Sequence, residues 1–166
     1  CDGYGYGIDG AAWGGEILHC TRGSPSFRRL AYLEPQLLLG GDVATRYPLR
    51  IAAGILSKET DINDWLMQQA NNLPHGETEA NLILSQLKTQ SAPKTTSLGR
   101  ILDAAAAVLG ICYERTYEGE AAMKLESAAA KGKDVLGLAP LISGKVLDTS
   151  QMLLSVFENR ARFSIA

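Results

Sequence analysis

The spacing of apolar positions changes near residue 42. Before it they lie in two extended runs, Glu16-Ile-Leu-His-Cys-Thr21 and Ser26-Phe-Arg-Arg-Leu-Ala-Tyr-Leu33, parted by Arg22-Gly-Ser-Pro25. Gly, Ser and Pro between two short runs are turn chemistry, so residues 16–33 predict a β-hairpin. Pro35 and the pair Gly40-Gly41 then break the chain. From Asp42 onward the spacing is helical. Asp42 stands where an N-cap would, and Pro48 suits a first helical turn followed by Leu49, Ala52, Ala53 and Leu56. A short helix carrying Trp65 is predicted over 61–69, and another over 76–88 with Leu82, Ile83 and Leu87 on one side. The polar stretch 89–96 reads as a loop.

Further on, Leu98, Ile101, Leu102, Ala105, Leu109 and Cys112 form an apolar stripe on a helix that starts at Ser97 and stops at Gly110 or just after. An Ala-rich helix over 119–131 is ended by Gly132. The last helix starts near Thr149, with Met152, Leu153, Val156, Phe157 and Phe163 on its apolar face, and its pattern runs off the end of the chain. The fold class expected is α+β, mainly α: a β-element over residues 1–40, then a helical subdomain over 41–166. No internal repeat of the solenoid kind is visible. The Gly-rich start has no strand before it and the last helix has no cap after it. The chain is therefore expected to be a piece of a longer protein, with unpaired edges that invite self-association.

Composition narrows the function classes. A chain of 166 residues, 46% of them apolar, can build one packed core. A net charge of −2 with no basic stripe argues against nucleic acid as the main partner. No apolar run approaches the length of a membrane span. Cys1, Cys20 and Cys112 are isolated, with no metal-ligand spacing among them. A reducing, cytoplasmic compartment is expected, with Cys112 buried as a small hydrophobe. His19 and His75 are too far apart in sequence to read as a ligand pair.

Two constellations could carry chemistry. The first is the run 2–16, with Gly at 3, 5, 7, 10, 14 and 15 and carboxylates at Asp2, Asp9 and Glu16. Glycine at this density serves a backbone of positive φ or the close approach of a ligand. Bare N–H groups beside carboxylates can hold an anion, a cation or a sugar hydroxyl. The alternative is a plain Gly-rich hairpin, with Asp9-Gly10 as an Asx-type turn. The spacing matches neither GxGxxG nor GxxxxGK[ST]. The second constellation begins on the helix from Ser97. There Asp103 points opposite Leu98, beside Ala106, Ala107 and Gly110. Such a carboxylate admits a ligand, or is a solvated Asp on a packing face. Thr95, Thr96 and Ser97 offer N-cap hydroxyls. Tyr117-Glu118-Gly119-Glu120 opens the next helix, where the macrodipole favours acidic groups by about 0.3–1 kcal/mol each. A Glu-Gly pair at such a start can equally hold ribose hydroxyls.

Four segments together resemble the HypF family of hydrogenase maturation carbamoyltransferases. They are Asp-Gly-x-Gly-x-Gly-x-Asp-Gly-x-x-Trp-Gly-Gly-Glu at 2–16, Leu-Gly-Gly-Asp at 39–42, Thr-Ser-x-Gly-Arg-x-x-Asp-Ala at 96–104, and Tyr-Glu-Gly-x-Ala-Ala-Met-x-Leu-Glu at 117–126. They occur in family order over nearly the whole chain. The resemblance implies part of a C-terminal carbamoyltransferase domain, similar to the threonylcarbamoyl-transferring TsaD enzymes and built like an actin-like, sugar-kinase-like ATPase. The family takes carbamoyl phosphate and ATP, forms carbamoyl adenylate, and carbamoylates the C-terminal cysteine of HypE; the group becomes the cyanide ligand of [NiFe] hydrogenase.

By the same resemblance Asp2 belongs to the metal and carbamoyl-adenylate site, and Gly14, Gly15 and Glu16 to the turn that approaches the phosphate or carbamoyl end. Arg100, Asp103, Glu118 and Gly119 line the nucleotide, the acidic groups facing ribose. No catalytic residue is nominated. The family's paired metal-binding histidines, its later Ser-Gly-Gly-Val segment and a further metal aspartate fall outside this sequence, so most ligands of the divalent metal are elsewhere and the isolated chain is expected to be inactive. Leu39, Leu102 and Ser164 stand where the family commonly has proline, phenylalanine and histidine. The competing expectations are a non-enzymatic helical interaction module and a TsaD-like transferase acting on tRNA; neutral charge and Trp-Gly-Gly-Glu disfavour the second.

Overall fold

The computed structural model describes residues 5–162, so Asp2, Phe163 and Ser164 lie outside the described part. The Gly-rich run folds as a small antiparallel pair, β1 (Gly5–Tyr6) with β2 (Ala12–Trp13). The predicted hairpin follows as β3 (Glu16–Cys20) and β4 (Phe27–Leu33), with a register shift between Ile17 and Leu18. After β5 (Gln36–Leu37) come α1 (Val43–Arg46), α2 (Pro48–Leu56), α3 (Asn63–Gln68), a 3-10 turn (Ala70–Asn72) and α4 (Gly76–Thr89). The chain continues through β6 (Lys94–Thr95), α5 (Leu98–Val108), α6 (Glu120–Ala129), β7 (Ile142–Ser143), β8 (Val146–Leu147) and α7 (Ser150–Asn159). The class is α+β, mainly α, as expected.

The strands assemble into two four-stranded sheets, ordered β1-β2-β6-β5 and β3-β4-β8-β7. This corrects the expectation that β-structure stays within residues 1–40. Lys94–Thr95, inside the stretch read as a loop, pairs parallel with β2 and antiparallel with β5, and β8 pairs parallel with β4. Two-residue strands are too short to show a period of two. Their partners in space create them.

The core forms around α2, every residue of which is buried. A helix apolar all round belongs in the interior. It packs against α5, β5, α7 and α4. Gly54 permits the approach to β5: a Cβ there would stand 2.9 Å from the carbonyl oxygen of Leu37. The one strongly polar residue of α2, Arg50, is buried in an ion pair with Glu79 of α4, at 2.6 Å, and donates to the carbonyl of Leu39. Burying a guanidinium is tolerated because carboxylate and carbonyl together satisfy it. Trp65 of α3 meets Phe157 of α7 edge to face, ring centroids 5.3 Å apart.

Three local expectations change. Asp42 precedes α1 but makes no side-chain cap bond, so its carboxylate is left for other use. On α5 the side carrying Asp103, Ala106 and Ala107 is fully buried, while Leu98, Ile101, Leu102, Ala105 and Leu109 are half-buried. The helix lies between α2 and α6, so small residues pack close against a neighbour and the leucines fill its flanks. The last helix ends at Asn159 and does not run on through 162. Its first turn is capped from a distance: Ser150 N–H and Oγ–H both donate to Glu34. Cys112 is buried, as expected. No helix among the described residues is long and apolar enough to cross a membrane.

Candidate functional site

A cleft of about 600 Å³ opens where α1, the first turn of α5 and the segment before α6 meet. Asp42, Thr45 and Arg46 form one side, Arg100 another, and Arg115 through Glu118 a third. Ser97 caps α5 with its side chain, accepting from the N–H of Arg100, and this sets the helix start. One turn on, Asp103 lies beneath the cleft and is 1% exposed. Its Oδ2 is 3.0 Å from Arg100 Nη2 and 2.9 Å from Arg115 Nη1. Arg115 is held further by the carbonyls of Thr45 and Arg46, through Nη1 and its own N–H.

One buried carboxylate thus orients two buried guanidiniums, and the cluster keeps a net positive charge. Burial pushes the Asp103 carboxyl above its ordinary range against the pull of Arg100 and Arg115. Burial likewise lowers Arg100, with Asp103 opposing. Arg100 Nε and Arg115 Nε are buried without a hydrogen-bond partner. Two guanidinium forks suit phosphate or carboxylate oxygens.

The far rim is the turn before α6. Gly119 is its N-cap at φ +79°, a left-handed conformation natural to glycine. Glu120 accepts from both the N–H and the hydroxyl of Thr116 and pairs with Lys124 at 2.7 Å. These contacts hold Thr116 to Glu118 in place, with Glu118 exposed at the rim.

The Trp-Gly-Gly-Glu turn does not line the cleft but packs against the residues that lead into α5. Gly14 N–H donates to Glu16, the carboxylate two residues on. Gly15 packs so tightly that a Cβ would fall 2.4 Å from the carbonyl oxygen of Thr96. Thr96 also hydrogen-bonds Glu16, and its N–H donates to Ala12. The turn is therefore fastened to the residues leading into α5. Asp9 accepts from Ala11 N–H, the Asx-type turn expected of it.

Of the residues singled out from sequence, Arg100 and Glu118 line the cleft, Asp103 underlies it and Gly119 shapes its rim. Gly15 and Glu16 pack against Thr96, Gly14 donates its N–H to Glu16, and Asp2 lies outside the described residues. Asp103 is not the solvated carboxylate of the packing alternative. Asp42, Thr45, Arg46, Arg115, Thr116 and Tyr117 also line the cleft, and the sequence did not mark them as site residues. Leu-Gly-Gly-Asp at 39–42 and the shared loop of Arg115 and Glu118 were the available signals. Among the described residues no group of three or more His, Cys, Asp or Glu gathers to hold a metal.

Fold and site together define a mainly helical α+β subdomain that presents a cation-rich cleft at the start of one buried helix. The family model "Carbamoyltransferase, Kae1-like Domain, second subdomain" matches residues 1–164. The chain belongs to the HypF carbamoyltransferase family. It is 41% identical over 158 residues to the probable carbamoyltransferase HypF of Methanocaldococcus jannaschii, covering 95% of this chain and 20% of that protein. To carbamoyltransferase HypF of Rhodobacter capsulatus it is 41% identical over 148 residues, covering 87% and 19%. The chain thus spans about a fifth of the length of these relatives. Among solved structures, HypF of T. kodakarensis superposes with a TM-score of 0.83 at 38% identity, over 99% of this chain and 22% of that one. Full-length HypF in a phosphate- and nucleotide-bound form superposes at 0.81 with 31% identity, over 99% and 25%.

Proposed function

We propose that this chain is the cleft-bearing subdomain of a cytoplasmic carbamoyltransferase that consumes carbamoyl phosphate and ATP. Through carbamoyl adenylate the enzyme carbamoylates the C-terminal cysteine thiol of HypE, on the way to the cyanide ligand of [NiFe] hydrogenase. The observation that carries this reading is the Arg100–Asp103–Arg115 cluster, in which one buried carboxylate holds two arginines that line the cleft. That solved HypF includes a nucleotide-bound form supports it.

Each residue has a defined part. Arg100 and Arg115 offer donors to anionic oxygens. Asp103, with Oδ2 committed to both arginines, holds the donors in place and keeps them charged. Glu118, exposed at the rim, is the acceptor for ribose hydroxyls. Preorganised donors of this kind need no rearrangement as charge develops on the substrate. The described residues supply no metal-ligating set, so the divalent metal implied by the family resemblance draws on groups outside them, Asp2 included.

The test is ATP binding to the full-length protein by calorimetry. Asp103→Asn removes the charge that holds two arginines, and a lost charged hydrogen bond is worth about 1.5–3 kcal/mol, or roughly 10- to 100-fold in Kd. Unchanged ATP affinity in a folded Asp103→Asn protein would overturn the cleft assignment.

A further inference from the structure

One side chain outside the cleft ties the Gly-rich run to the start of α5. Arg29, on β4, sends Nη2 to Glu16 at 2.7 Å and Nη1 toward Asp9 at 3.7 Å. The same Nη2 lies 3.5 Å from the hydroxyl of Thr96. Its guanidinium carbon stacks on two rings, 4.1 Å from the centroid of Trp13 and 3.7 Å from that of Tyr32. Charge and planarity are both used here. An ion pair alone could be made by lysine, but stacking while reaching two carboxylates needs the flat fork of a guanidinium.

The contacts share one direction. Trp13 and Glu16 bracket Gly14 and Gly15, and Gly15 rests against the carbonyl of Thr96. Thr96 leads directly into Ser97, whose side chain accepts from the N–H of Arg100. Arg29 is therefore the fastener between the turn and the residues that set the first turn of α5. Its Nε is buried and unpartnered, so the residue is held by its guanidinium tip and its stacking.

We infer that Arg29 is a positioning residue of the proposed reaction: it holds the Trp-Gly-Gly-Glu turn against Thr96 and so sets where α5 presents Arg100 to the nucleotide. This rests on the cleft reading above. Displacing a binding group by about 1 Å can reduce its effect 100-fold.

Arg29→Lys in the full-length protein is the informative variant, because it keeps the charge and loses the stacking. The assay is carbamoyl-phosphate-dependent ATP–pyrophosphate exchange, with a thermal melt alongside. We expect the KM for ATP to rise about 10-fold in Arg29→Lys and further in Arg29→Ala, as for a misplaced binding group. A merely structural role would lower the melting temperature and the apparent kcat through the folded fraction, leaving KM where it was. An unchanged KM would overturn the inference. Failure of the proposed function is seen separately, as absence of exchange in the unaltered protein. Hydrogen exchange at the amides of Thr96 to Arg100 then decides: faster exchange in Arg29→Lys upholds the positioning role, and unchanged exchange overturns it.

Discussion

Glu120 organises the turn that enters α6 through Thr116 and Lys124. Pairing with Lys124 and donation from the N–H and hydroxyl of Thr116 lower its pKa from 4.5 to about 2. A folded-state pKa below the unfolded value stabilises the protein above the unfolded pKa, and the contribution is lost as pH falls through the folded one. Urea unfolding should therefore show Glu120→Gln less stable than the unaltered chain above pH 4.5, with the gap closing as pH approaches 2. A gap independent of pH over that window would refute the assigned contacts. The same substitution loosens Thr116 to Glu118 and should weaken the cleft rim. Both acidic groups at this helix start were visible in the sequence, where the macrodipole was reason enough for them. That Glu120 organises the turn while Glu118 faces solvent is a matter of which way the chain enters α6.

Among elements, α2 was the clearest to read and α5 the most misleading. Pro48, Leu49, Ala52, Ala53 and Leu56 mark α2 by spacing alone. What spacing does not show is that Gly54 is needed for α2 to touch β5. Gly54→Ala gains helix propensity of roughly 1 kcal/mol. Its Cβ would meet a backbone oxygen at 2.9 Å in a core that cannot give way. Overpacking costs about 1–3 kcal/mol and should outweigh the gain, so chemical denaturation should find the variant less stable by about 1 kcal/mol. Equal or higher stability would mean that α2 and β5 are less tightly apposed. On α5 the leucine stripe predicted one buried side, yet the fully buried side is that of Asp103, Ala106 and Ala107. Amphipathicity finds the side a helix must hide from water. It does not find a second side hidden by a neighbouring helix, or a carboxylate made tolerable there by Arg100 and Arg115.

For the whole molecule, the decisive fact is that this chain spans about a fifth of its relatives, 20% in one case. The cleft is built from α1, α5 and the turn before α6, and the described residues offer no metal set. Transfer chemistry of this kind takes groups from several segments. The isolated chain is therefore expected to fold and to show no carbamoyl-phosphate-dependent ATP–pyrophosphate exchange, while the full-length protein shows it. Exchange by the isolated chain would contradict this. Folding without turnover, checked by circular dichroism dominated by helix, is the expected pair of results.

Read alone, the sequence determined the helices from Asp42 onward and the hairpin over 16–33, because periodicity and turn residues are local properties, while Arg100, Asp103 and Glu118 were nominated as site residues through the family resemblance of their motifs. Tertiary structure decided how these parts meet. Lys94–Thr95 becomes a strand only because β2 and β5 lie beside it, and the local hairpin of β7 and β8 joins a larger sheet only through β4. α7 is capped by Glu34, 116 residues before Ser150. Asp42 and Arg115 reach one cleft from segments more than seventy residues apart, and Arg29 joins the Gly-rich run to α5. Each of these depends on a partner distant in the chain. Such a contact leaves no period in the sequence and exists only once the core has brought both partners together.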